Sequence, residues 1–489
     1  MKNLTLDRSV RRAGDGQVLI GGSPLVLLRL TAAGAGLVDR IAARRPVDRS
    51  PTSEALIARL LDAGIVHPTF PTGRTDSGVS AAGFGNVSAG DVTVVVPTLA
   101  TPRAALQAIA DACSDAAAVI IVDDASPTPI GPVDGATVIR RDANGGPGAA
   151  RMAGLEHVAT PFVAFVDADV EVSPGWIGGL LGHFTDERVA AVAPRVTSPV
   201  NGLVSPTRLD RYEAVRSSLD LGPSPARVRA GTRVGYVPSA AIVCRVDALR
   251  AVGGFDPALR FGEDVDLVWR LDEAGWRVRY EPAVLVHHRP RTTAARWLQQ
   301  RFSYGSSAAP LAQRHPGALA PVRVSGWSAA SWATAMAGWP LIGPAIGITI
   351  AATTTALLAR KLRDVPDGPR QALRLAGLGH LYAGRSLAAG ITRPWWPFAA
   401  AAALVSKRAR RAVVLAIVVP ALIDWRAGLG SGQPALDPVT YTTLHLLDDV
   451  AYGSGVVVGV LRTRSLDALR PDFRSWPTTG ARSPQPVAR

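Results

Sequence analysis

Two aspartates one residue apart follow an apolar segment of the chain, and this pair could bind a metal ion. Asp167 and Asp169 come directly after FVAFV, residues 162–166. Carboxylates at positions i and i+2 of a strand end both lie near the loop, where they can share one divalent cation. Such a cation would neutralise a bound diphosphate. Two solvated loop carboxylates would show the same pattern, but the position after an apolar strand favours a metal site.

A glycine-rich turn offers a second kind of chemistry, the binding of phosphate. The segment RRDANGGPGAARMAGL, residues 140–155, predicts a turn that opens a helix carrying Arg151. Backbone amides at a helix start and an arginine both favour phosphate oxygens. The alternative is a flexible loop with a surface arginine. In VDD, residues 122–124, Asp123 and Asp124 could accept hydrogen bonds from a ribose or a nucleobase.

Two further segments contain candidates for proton transfer and metal binding. In GEDVDLVWRL, Glu263 and Asp264 begin an amphipathic helix. Acids at this position usually interact with the helix dipole, yet a carboxylate held there could also act as a general base toward an acceptor hydroxyl. VLVHH ends an apolar strand with His287 and His288. Either histidine could complete an octahedral metal shell.

One domain must position these candidate residues, and the sequence pattern from residue 91 onward predicts such a domain. Short β-rich runs such as VTVVVP, AAVIIVDD and FVAFVDAD alternate with helical stretches. Continuous apolar strands bounded by helices indicate an α/β domain with a mostly parallel sheet covered on both faces. Ligands of such sheets bind beyond the carboxyl ends of the strands. The aspartates at 123–124 and 167–169 follow two such ends, so we expect them to lie near one site.

Five segments over roughly residues 91–310 resemble family 2 glycosyltransferases in their order and spacing. They are VTVVVPTLATPRAALQAI, VIIVDDASP, RRDANGGPGAARMAGL, FVAFVDADVEVSPGW and GGFDPALRFGEDVDLVWRLDEAGWRVRYEPAVLVHH. The resemblance implies a Rossmann-like, nucleotide-sugar-binding fold of the GT-A type. It also implies a divalent metal and inversion at the anomeric carbon. Processive members carry a Gln-X-X-Arg-Trp motif, whereas this chain has RWLQQRFSYG at 296–305, which favours transfer of one or a few sugars.

The same resemblance implies roles for individual residues. Asp264 would take the acceptor proton during direct displacement of the nucleoside diphosphate. Asp167, Asp169 and His288 would hold Mg²⁺ or Mn²⁺ against the diphosphate. The donor would be bound by Pro97, Thr98, Asp123, Asp124, Gly145, Gly148, Arg151 and Asp167.

The first seventy residues form a separate small unit in this interpretation. GDGQVLIGG predicts a hairpin, and TAAGAGLVDRIAA and SEALIARLLDAGIV predict two helices, the second ended by Gly64. The unit resembles the winged-helix-like, PqqD-like peptide-recognition domains, in which an exposed strand edge pairs with a leader peptide. Joined to a family 2 catalytic domain, it is similar to the glycosyltransferases of the mycofactocin system. That similarity implies transfer of a hexose, glucose from UDP-glucose, to a peptide-derived redox cofactor or its precursor.

The C-terminal part is unusually apolar. Residues 331–359 contain no charged side chain, and this run is long enough to cross a bilayer. Pro340 and Pro344 divide it, so the pattern fits a bent or re-entrant helix as well as a straight span. WWPFAAAAALV and AVVLAIVVPALI flank the basic cluster KRARR, residues 407–411. We interpret this part as membrane-associated, with a buried helical hairpin of a soluble protein as the alternative.

Composition narrows the class of protein. Hydrophobic residues make up 47% and charged residues 19%, which argues against disorder. The formal charge of +14 favours anionic partners, but dispersed basic residues without interleaved aromatics argue against nucleic acid. The chain has two cysteines, Cys113 and Cys244, each in an apolar segment, which argues against a disulfide framework, and the N-terminus has no secretory signal pattern. We therefore expect a cytoplasmic protein or one on the cytoplasmic face of the membrane.

The sequence thus predicts a metal-dependent, inverting glycosyltransferase in five parts. A lipid or cell-envelope glycan is the alternative acceptor. A catalytically inert, peptide-binding scaffold is the alternative from another class, and it predicts missing acids, whereas every candidate acid is present. The expected parts are a peptide-recognition domain at 1–70, a linker at 71–90, a catalytic domain at 91–325, an apolar helical region at 326–470 and a polar tail at 471–489.

Overall fold

The structure is a computed structural model that describes residues 3–47, 50–70, 73–75, 78–80, 87–200, 205–289, 291, 293–336, 341–430, 432 and 435–475. Its N-terminal unit contains two small sheets and two helices. The elements are β1 (Asn3–Leu6), β2 (Arg11–Ala13), β3 (Val18–Gly21), β4 (Val26–Arg29), α1 (Ala32–Ala42), α2 (Pro51–Asp62) and β5 (Val66–Thr69). β1 pairs with β5, and the predicted hairpin is extended by β4 into an antiparallel sheet of order β2-β3-β4.

Local sequence explains where the two N-terminal helices begin and end. The hydroxyl of Thr31 accepts a hydrogen bond from the backbone N–H of Gly34, and that of Ser50 accepts one from Ser53. Such N-cap contacts satisfy backbone donors that have no partner inside the helix. Gly64 has a φ of +63°, a conformation that ends α2 and that glycine adopts without steric cost.

The N-terminal unit docks onto the next domain through ion pairs. Asp62 Oδ1 lies 2.7 Å from Arg227 Nη1 and 2.7 Å from Arg277 Nη2. Asp7, which is buried, lies 2.9 Å from Arg233 Nη2. The predicted linker contains two short paired strands, β6 (Gly73–Thr75) and β7 (Gly78–Ser80), while its residues 71–72, 76–77 and 81–86 lie outside the described residues.

The central domain alternates strands and helices as the sequence predicts. Its elements are β8 (Val92–Thr98), α3 (Arg103–Ala112), β9 (Ala118–Asp123), β10 (Thr137–Arg140), α4 (Pro147–Leu155), β11 (Phe162–Val166), β12 (Val170–Glu171), α5 (Gly178–Leu181), β13 (Val189–Thr197), α6 (Arg208–Arg216), β14 (Ala226–Val228), β15 (Ala241–Arg245), α7 (Val246–Ala251), α8 (Glu263–Glu273), β16 (Arg277–His288), α9 (Ala294–Ser306) and α10 (Ala308–Arg314).

The sheet of this domain is mixed, with strand order β10-β9-β8-β11-β15-β13-β16-β12 and β14 beside β16. The pairs among β10, β9, β8 and β11 are parallel, whereas β15 runs antiparallel to both of its neighbours. β13 and β16 also pair in parallel, so the expectation of a mostly parallel sheet holds for four of the eight described strand pairs and the sheet is mixed. An apolar run indicates burial on both faces and does not encode strand direction, which explains the difference.

Alternate side chains of the central strands enter two separate cores. Val94, Val96 and Ile121 pack on one face of the sheet, and Val95 and Ile120 pack on the other. Because successive side chains of a strand point to opposite faces, both faces must be covered to bury these runs. Helices on both faces leave the strand ends as the open edge of the domain.

The C-terminal region is mainly helical. Its elements are β17 (Arg323–Ser325), α11 (Gly326–Met336), α12 (Ile342–Lys361), α13 (Gly368–Thr392), α14 (Trp396–Val405), α15 (Lys407–Gly428), α16 (Pro438–Thr463) and β18 (Asp472–Arg474). The predicted polar tail begins with β18, which pairs with β17, and from residue 476 it lies outside the described residues. Pro344 lies in the first turn of α12, where a missing N–H breaks no helical hydrogen bond.

Two described helices, α12 and α16, are long and apolar enough to cross a membrane. They differ in their packing, because 11% of the most apolar window of α12 is buried inside the protein against 44% for α16. Length and composition do not separate a membrane span from the core helix of a soluble protein. The contacts of each helix therefore have to be considered individually.

Candidate active site

A cavity of about 1320 Å³ lies at the carboxyl ends of the parallel strands. Sites for one drug-sized ligand usually measure roughly 300–1,000 Å³, so this one has room for two substrates. Loops after β8, β9 and β11 and the starts of α4 and α8 contribute to its wall. The predicted site residues that line it are Pro97, Thr98, Asp124, Arg151, Asp167, Asp169, Asp264 and His288.

Asp123 is not among the residues lining this cavity, although it was predicted to contact the donor. Its carboxylate is fully buried and accepts hydrogen bonds from the backbone N–H groups of Ser126 at 2.8 Å and Ile130 at 3.2 Å. Arg140 Nη1 lies 2.5 Å from the second carboxylate oxygen. Burial opposes ionisation, but these hydrogen bonds outweigh it and lower the pKa of Asp123. Asp123 thus holds the loop after β9 in place.

Asp124 connects the end of β9 to the glycine-rich turn. Its carboxylate accepts hydrogen bonds from the backbone N–H of Gly145 at 3.1 Å and of Gly146 at 2.8 Å, and it forms an ion pair with Arg141. Gly146, which the sequence reasoning missed, lines the cavity at a φ of +85°. A Cβ there would meet nothing within 4 Å, so the backbone faces open space. In the sequence, its position between Gly145 and Pro147 was the signal from which this turn residue could have been found.

The two predicted donor-binding glycines lie behind this wall. A Cβ on Gly145 would lie 2.7 Å from Arg141 Nη1, and one on Gly148 would lie 3.3 Å from Glu263 Cγ. The missing side chain of Gly148 therefore permits close packing of α4 against the start of α8. Neither glycine is among the residues that line the cavity. Their contribution is to the shape of the turn.

Arg151 is a buried arginine and not a surface residue, with an exposure of 2%. Its Nη2 donates to Asp167 Oδ1 at 2.5 Å, and its Nη1 donates to Glu263 Oε1 at 2.9 Å. Burial opposes its charge, but the two carboxylates raise the pKa of Arg151. Arg151 therefore joins the strand end after β11 to the start of α8 through charged hydrogen bonds. Glu263 is a site residue that the predicted donor set did not include.

The three predicted metal ligands are divided between two clusters. Asp167 is paired with Arg151, whereas Asp169 Oδ2 lies 3.4 Å from His288 Nε2 and 3.3 Å from Arg291 Nη1. Across the described ranges, no group of three or more His, Cys, Asp or Glu side chains could hold a metal ion. The neighbouring His287 points elsewhere, with its Nδ1 2.9 Å from Thr197 Oγ1. Alternation along β16 separates the two imidazoles.

The pair formed by Asp169 and His288 nevertheless fits a divalent cation. A separation of 3.4 Å is longer than the usual N···O hydrogen bond of roughly 2.7–3.2 Å. It is close to the distance of about 3 Å between adjacent ligands of an octahedral ion with bonds near 2.1 Å. A carboxylate oxygen and an imidazole nitrogen are both suitable donors for Mn²⁺. Two protein ligands would leave the remaining positions to water and phosphate.

Asp264 is held rigidly at the start of α8. The backbone N–H of Ser239 donates to its Oδ2 at 3.2 Å, and that of Val265 donates to its Oδ1 at 2.8 Å. Burial raises the pKa of Asp264, with Asp167 adding to the increase and Arg151 opposing it. Burial and the Asp264 charge raise the pKa of the adjacent Glu263 to about 7. Because the two carboxylates lie side by side in one low-dielectric site, each affects the titration of the other.

The cavity wall also contains residues that sequence reasoning missed. α9 contributes Arg301 and Tyr304, and the C-terminal helical region contributes Arg393, Asp448 and Tyr452. More than a hundred residues separate the last three from Asp264 in the chain. No local motif marks them, because their position depends on how the apolar region packs onto the central domain.

Comparison with known proteins gives matches over this domain and over the whole chain. Residues 93–251 match the family model described as Glycosyl transferase family 2. The pre-mycofactocin glycosyltransferase of Mycobacterium tuberculosis (strain CDC 1551 / Oshkosh) is 42% identical over 479 residues, which cover 96% of this chain and 97% of that protein. The N-acetylglucosaminyl-diphospho-decaprenol L-rhamnosyltransferase of the same strain is 31% identical over 149 residues, covering 27% of this chain and 48% of that protein.

Solved structures also match. The mannosyltransferase PcManGT from Pyrobaculum calidifontis, in complex with GDP-Man and Mn²⁺, is 17% identical with a TM-score of 0.37, covering 77% of this chain and 88% of that one. S. aureus TarS 1-349 in complex with UDP-GlcNAc is 17% identical with a TM-score of 0.34, covering 46% of this chain and 66% of that one.

Proposed function

This chain belongs to glycosyl transferase family 2, and we propose that it is an inverting, metal-dependent hexosyltransferase acting on the peptide-derived redox cofactor mycofactocin or its precursor. Its fold is the GT-A-type α/β fold with a central mixed sheet. The observation that carries the acceptor assignment is the 42% identity to a pre-mycofactocin glycosyltransferase over 96% of the chain. A UDP-sugar, with glucose as the hexose, is the proposed donor.

Asp264 is the proposed general base. The acceptor hydroxyl oxygen forms a bond to the anomeric carbon, the bond from that carbon to the diphosphate oxygen breaks, and the hydroxyl proton passes to Asp264. One displacement of this kind inverts the anomeric carbon. The two backbone N–H groups on Asp264 fix its direction, and burial raises its pKa above that of an exposed aspartate, which makes it a stronger base.

Negative charge develops on the departing nucleoside diphosphate, and this charge needs stabilisation. Asp169 and His288 would hold Mg²⁺ or Mn²⁺, which when bound neutralises charge on the departing diphosphate. Arg151 fixes Asp167 and Glu263 around this point. The backbone N–H of Gly146, which donates to Asp124, defines the adjoining wall.

A buried hydroxyl supports binding of the nucleoside at the end of β8. Thr98 is buried, and its Oγ1 has no hydrogen-bond partner within the described part of the protein. Thr98 and Pro97 both line the cavity. A buried polar atom without a partner costs free energy, which a ligand atom can recover. A ribose or base of the donor would supply the missing hydrogen bond.

The N-terminal unit is proposed to capture the peptide part of the acceptor. Among the described strands, β4 pairs only with β3, so its other edge is open. Leu25 and Leu27, beside and within this strand, are 63% and 37% exposed. An added peptide strand would satisfy that edge and cover these side chains, which is the binding mode of PqqD-like domains.

A transfer assay tests the proposal. Purified protein is incubated with Mn²⁺ or Mg²⁺, a panel of UDP-, GDP- and TDP-sugars, and mycofactocin precursor, and products are identified by mass spectrometry. We expect a hexose-sized mass gain with one donor that disappears with a chelator. Donor hydrolysis without modification of the precursor would contradict the acceptor assignment and favour a lipid or envelope glycan acceptor.

A further inference from the structure

Helix α16 has the composition of a membrane span, yet its backbone is in direct contact with the catalytic domain. A Cβ on Gly455 would lie 2.0 Å from the carbonyl oxygen of Phe302, and one on Gly459 would lie 2.6 Å from that of Ser306. On the α9 side, a Cβ on Gly305 would lie 1.9 Å from the carbonyl oxygen of Tyr452. Small residues at this spacing let two helices approach closely. This face of α16 is therefore closed to lipid.

Buried charges fix the register of α16 on α9. Arg301 Nε on α9 lies 2.9 Å from Asp448 Oδ1, and the hydroxyl of Tyr212 donates to Asp448 Oδ2 at 3.1 Å. Arg301 also forms an ion pair with Glu213, which accepts a hydrogen bond from Trp297 Nε1 at 2.9 Å. All five side chains are buried. Sliding the helices past each other would separate Arg301 from Asp448 and leave buried charges unpaired, which is costly.

This docking places a ring and a cation of the C-terminal region in the cavity wall. The guanidinium of Arg393 lies 4.1 Å from the centre of the Tyr452 ring, and both residues line the cavity. Arg393, which precedes α14, is also in backbone contact with α16, because a Cβ on Gly453 would lie 1.9 Å from its carbonyl oxygen. The Tyr452 ring and the Arg393 guanidinium are thus held by the same close packing that closes α16 to lipid.

Tyr236 connects this wall to the proposed base. Burial raises the pKa of Tyr236 to about 12, with the charge of Asp264 and the neighbouring Tyr452 contributing in the same direction and Arg393 opposing. Tyr236 lines the cavity three residues before Ser239, whose backbone N–H donates to Asp264. The end of α9 lies beside the start of α8, because a Cβ on Gly262 would lie 2.9 Å from Ser307 Oγ.

In the strand order, β8 and β9, whose ends carry Pro97 and Asp124, lie on one side of β11, whereas β16, which leads into α9, lies on the other side. Because α16 packs on α9, the α16 wall lies away from the proposed donor residues, on the side of the cavity that is left for an acceptor.

We propose that α16 is the acceptor-side wall of the active site, with Tyr452 packing against a hydroxylated ring of the acceptor and Arg393 donating hydrogen bonds to that ring's oxygens. A tyrosine ring offers a flat apolar surface, and a guanidinium offers several donors. The ring is either that of the unmodified acceptor or that of a sugar already attached to it. This inference rests on the proposed function, since it requires transfer to occur.

The test is a kinetic comparison of Tyr452→Ala with a matched control. Tyr382→Ala removes a tyrosine from the same helical region that is 68% exposed. We expect Tyr452→Ala to raise the KM for acceptor at least tenfold, while the KM for donor and the acceptor-independent hydrolysis of donor stay within twofold of wild type. Tyr382→Ala should change none of these. Running the assay with unmodified and with monoglycosylated acceptor shows which ring contacts Tyr452.

An unchanged acceptor KM in a folded Tyr452→Ala protein would overturn the inference, as would a parallel loss of donor hydrolysis. If the alanine variant does not fold, Tyr452→Leu keeps the apolar volume, removes the ring and gives the same two outcomes. Absence of transfer by the wild-type protein would instead contradict the proposed function. The two failures are therefore distinguishable.

Discussion

Asp123 and Asp124 are adjacent in the chain, yet only Asp124 reaches the cavity. The difference arises from their hydrogen-bond partners. The carboxylate of Asp123 accepts hydrogen bonds from backbone N–H groups of the loop after β9, whereas that of Asp124 accepts them from the glycine-rich turn that borders the cavity. His287 and His288 differ in the same way. At the residue scale, a side chain's role in this site depends on which groups already occupy its polar atoms.

Replacement of the proposed base should separate binding from chemistry. We expect Asp264→Asn to lower kcat by roughly 10²–10⁴-fold with little change in nucleotide-sugar affinity, because only the proton acceptor is lost. Asp247→Asn, at an exposed position in α7, is the control. Turnover is measured by product mass and affinity by calorimetry. Near-wild-type turnover in Asp264→Asn would refute the assignment.

The rate of transfer should depend on pH in a defined direction. The base must be ionised, and burial raises the pKa of Asp264 from its ordinary value of 3.8, so kcat/KM should fall as the pH drops toward that raised pKa. Glu263, with a pKa of about 7, lies beside Asp264. The fall of kcat/KM at low pH should therefore reflect protonation of both carboxylates together. A profile flat to the pH of unfolding would count against this base.

Removal of either proposed metal ligand should affect the donor and leave folding intact. We expect Asp169→Ala and His288→Ala to abolish Mn²⁺-dependent binding of the nucleotide sugar in calorimetry, because each removes a donor atom of the same pair. His287→Ala is the matched control, since its imidazole contacts Thr197. Unchanged titration of both variants would show that the metal binds elsewhere.

At the scale of elements, the contact between α9 and α16 depends on missing side chains. Gly455→Ala should lower the free energy of unfolding by about 1–3 kcal/mol and reduce transfer, because its Cβ would meet a backbone oxygen. Gly379→Ala, in α13, is the control, because its added Cβ would have no atom within 4 Å. This change should leave the free energy of unfolding unchanged or raise it by up to about 1 kcal/mol. Thermal unfolding and activity are measured together. Equal behaviour of the two variants would contradict the close contact.

At the scale of the whole molecule, exposed apolar side chains concentrate on the C-terminal helices. Phe398 is 66% exposed, Leu404 82% and Ile348 69%. The basic cluster at residues 407–411 begins α15, directly after α14. An apolar surface beside a cationic segment is suited to an anionic membrane surface. This is the part of the molecule that we propose contacts the membrane.

Vesicle flotation tests the membrane proposal. We expect wild-type protein to float with anionic vesicles, and the double variant Phe398→Ser, Leu404→Ser to float less, because less apolar area enters the bilayer. Leu25→Ser, an exposed leucine of the N-terminal unit, is the control. Equal flotation of the double variant and wild type would exclude α14 as the contact.

From the sequence alone, the central domain and the element ends that carry its acidic residues could be predicted. Apolar runs, turn residues and acids at strand ends are local signals, so the alternation from β8 to β11 and the positions of Asp124, Asp167 and Asp264 at element ends could be read directly. Strand direction could not be read, because burial on both faces gives the same apolar pattern in the antiparallel strand β15 as in the parallel strands β8 and β11.

The tertiary structure sets which polar groups meet. It paired Asp167 with Arg151 and Asp169 with His288, because these contacts depend on how strands and helices cross. It also placed α16 against the catalytic domain and Tyr452 in the cavity wall. An apolar helix has the same composition beside lipid or protein, and only its neighbours distinguish the two.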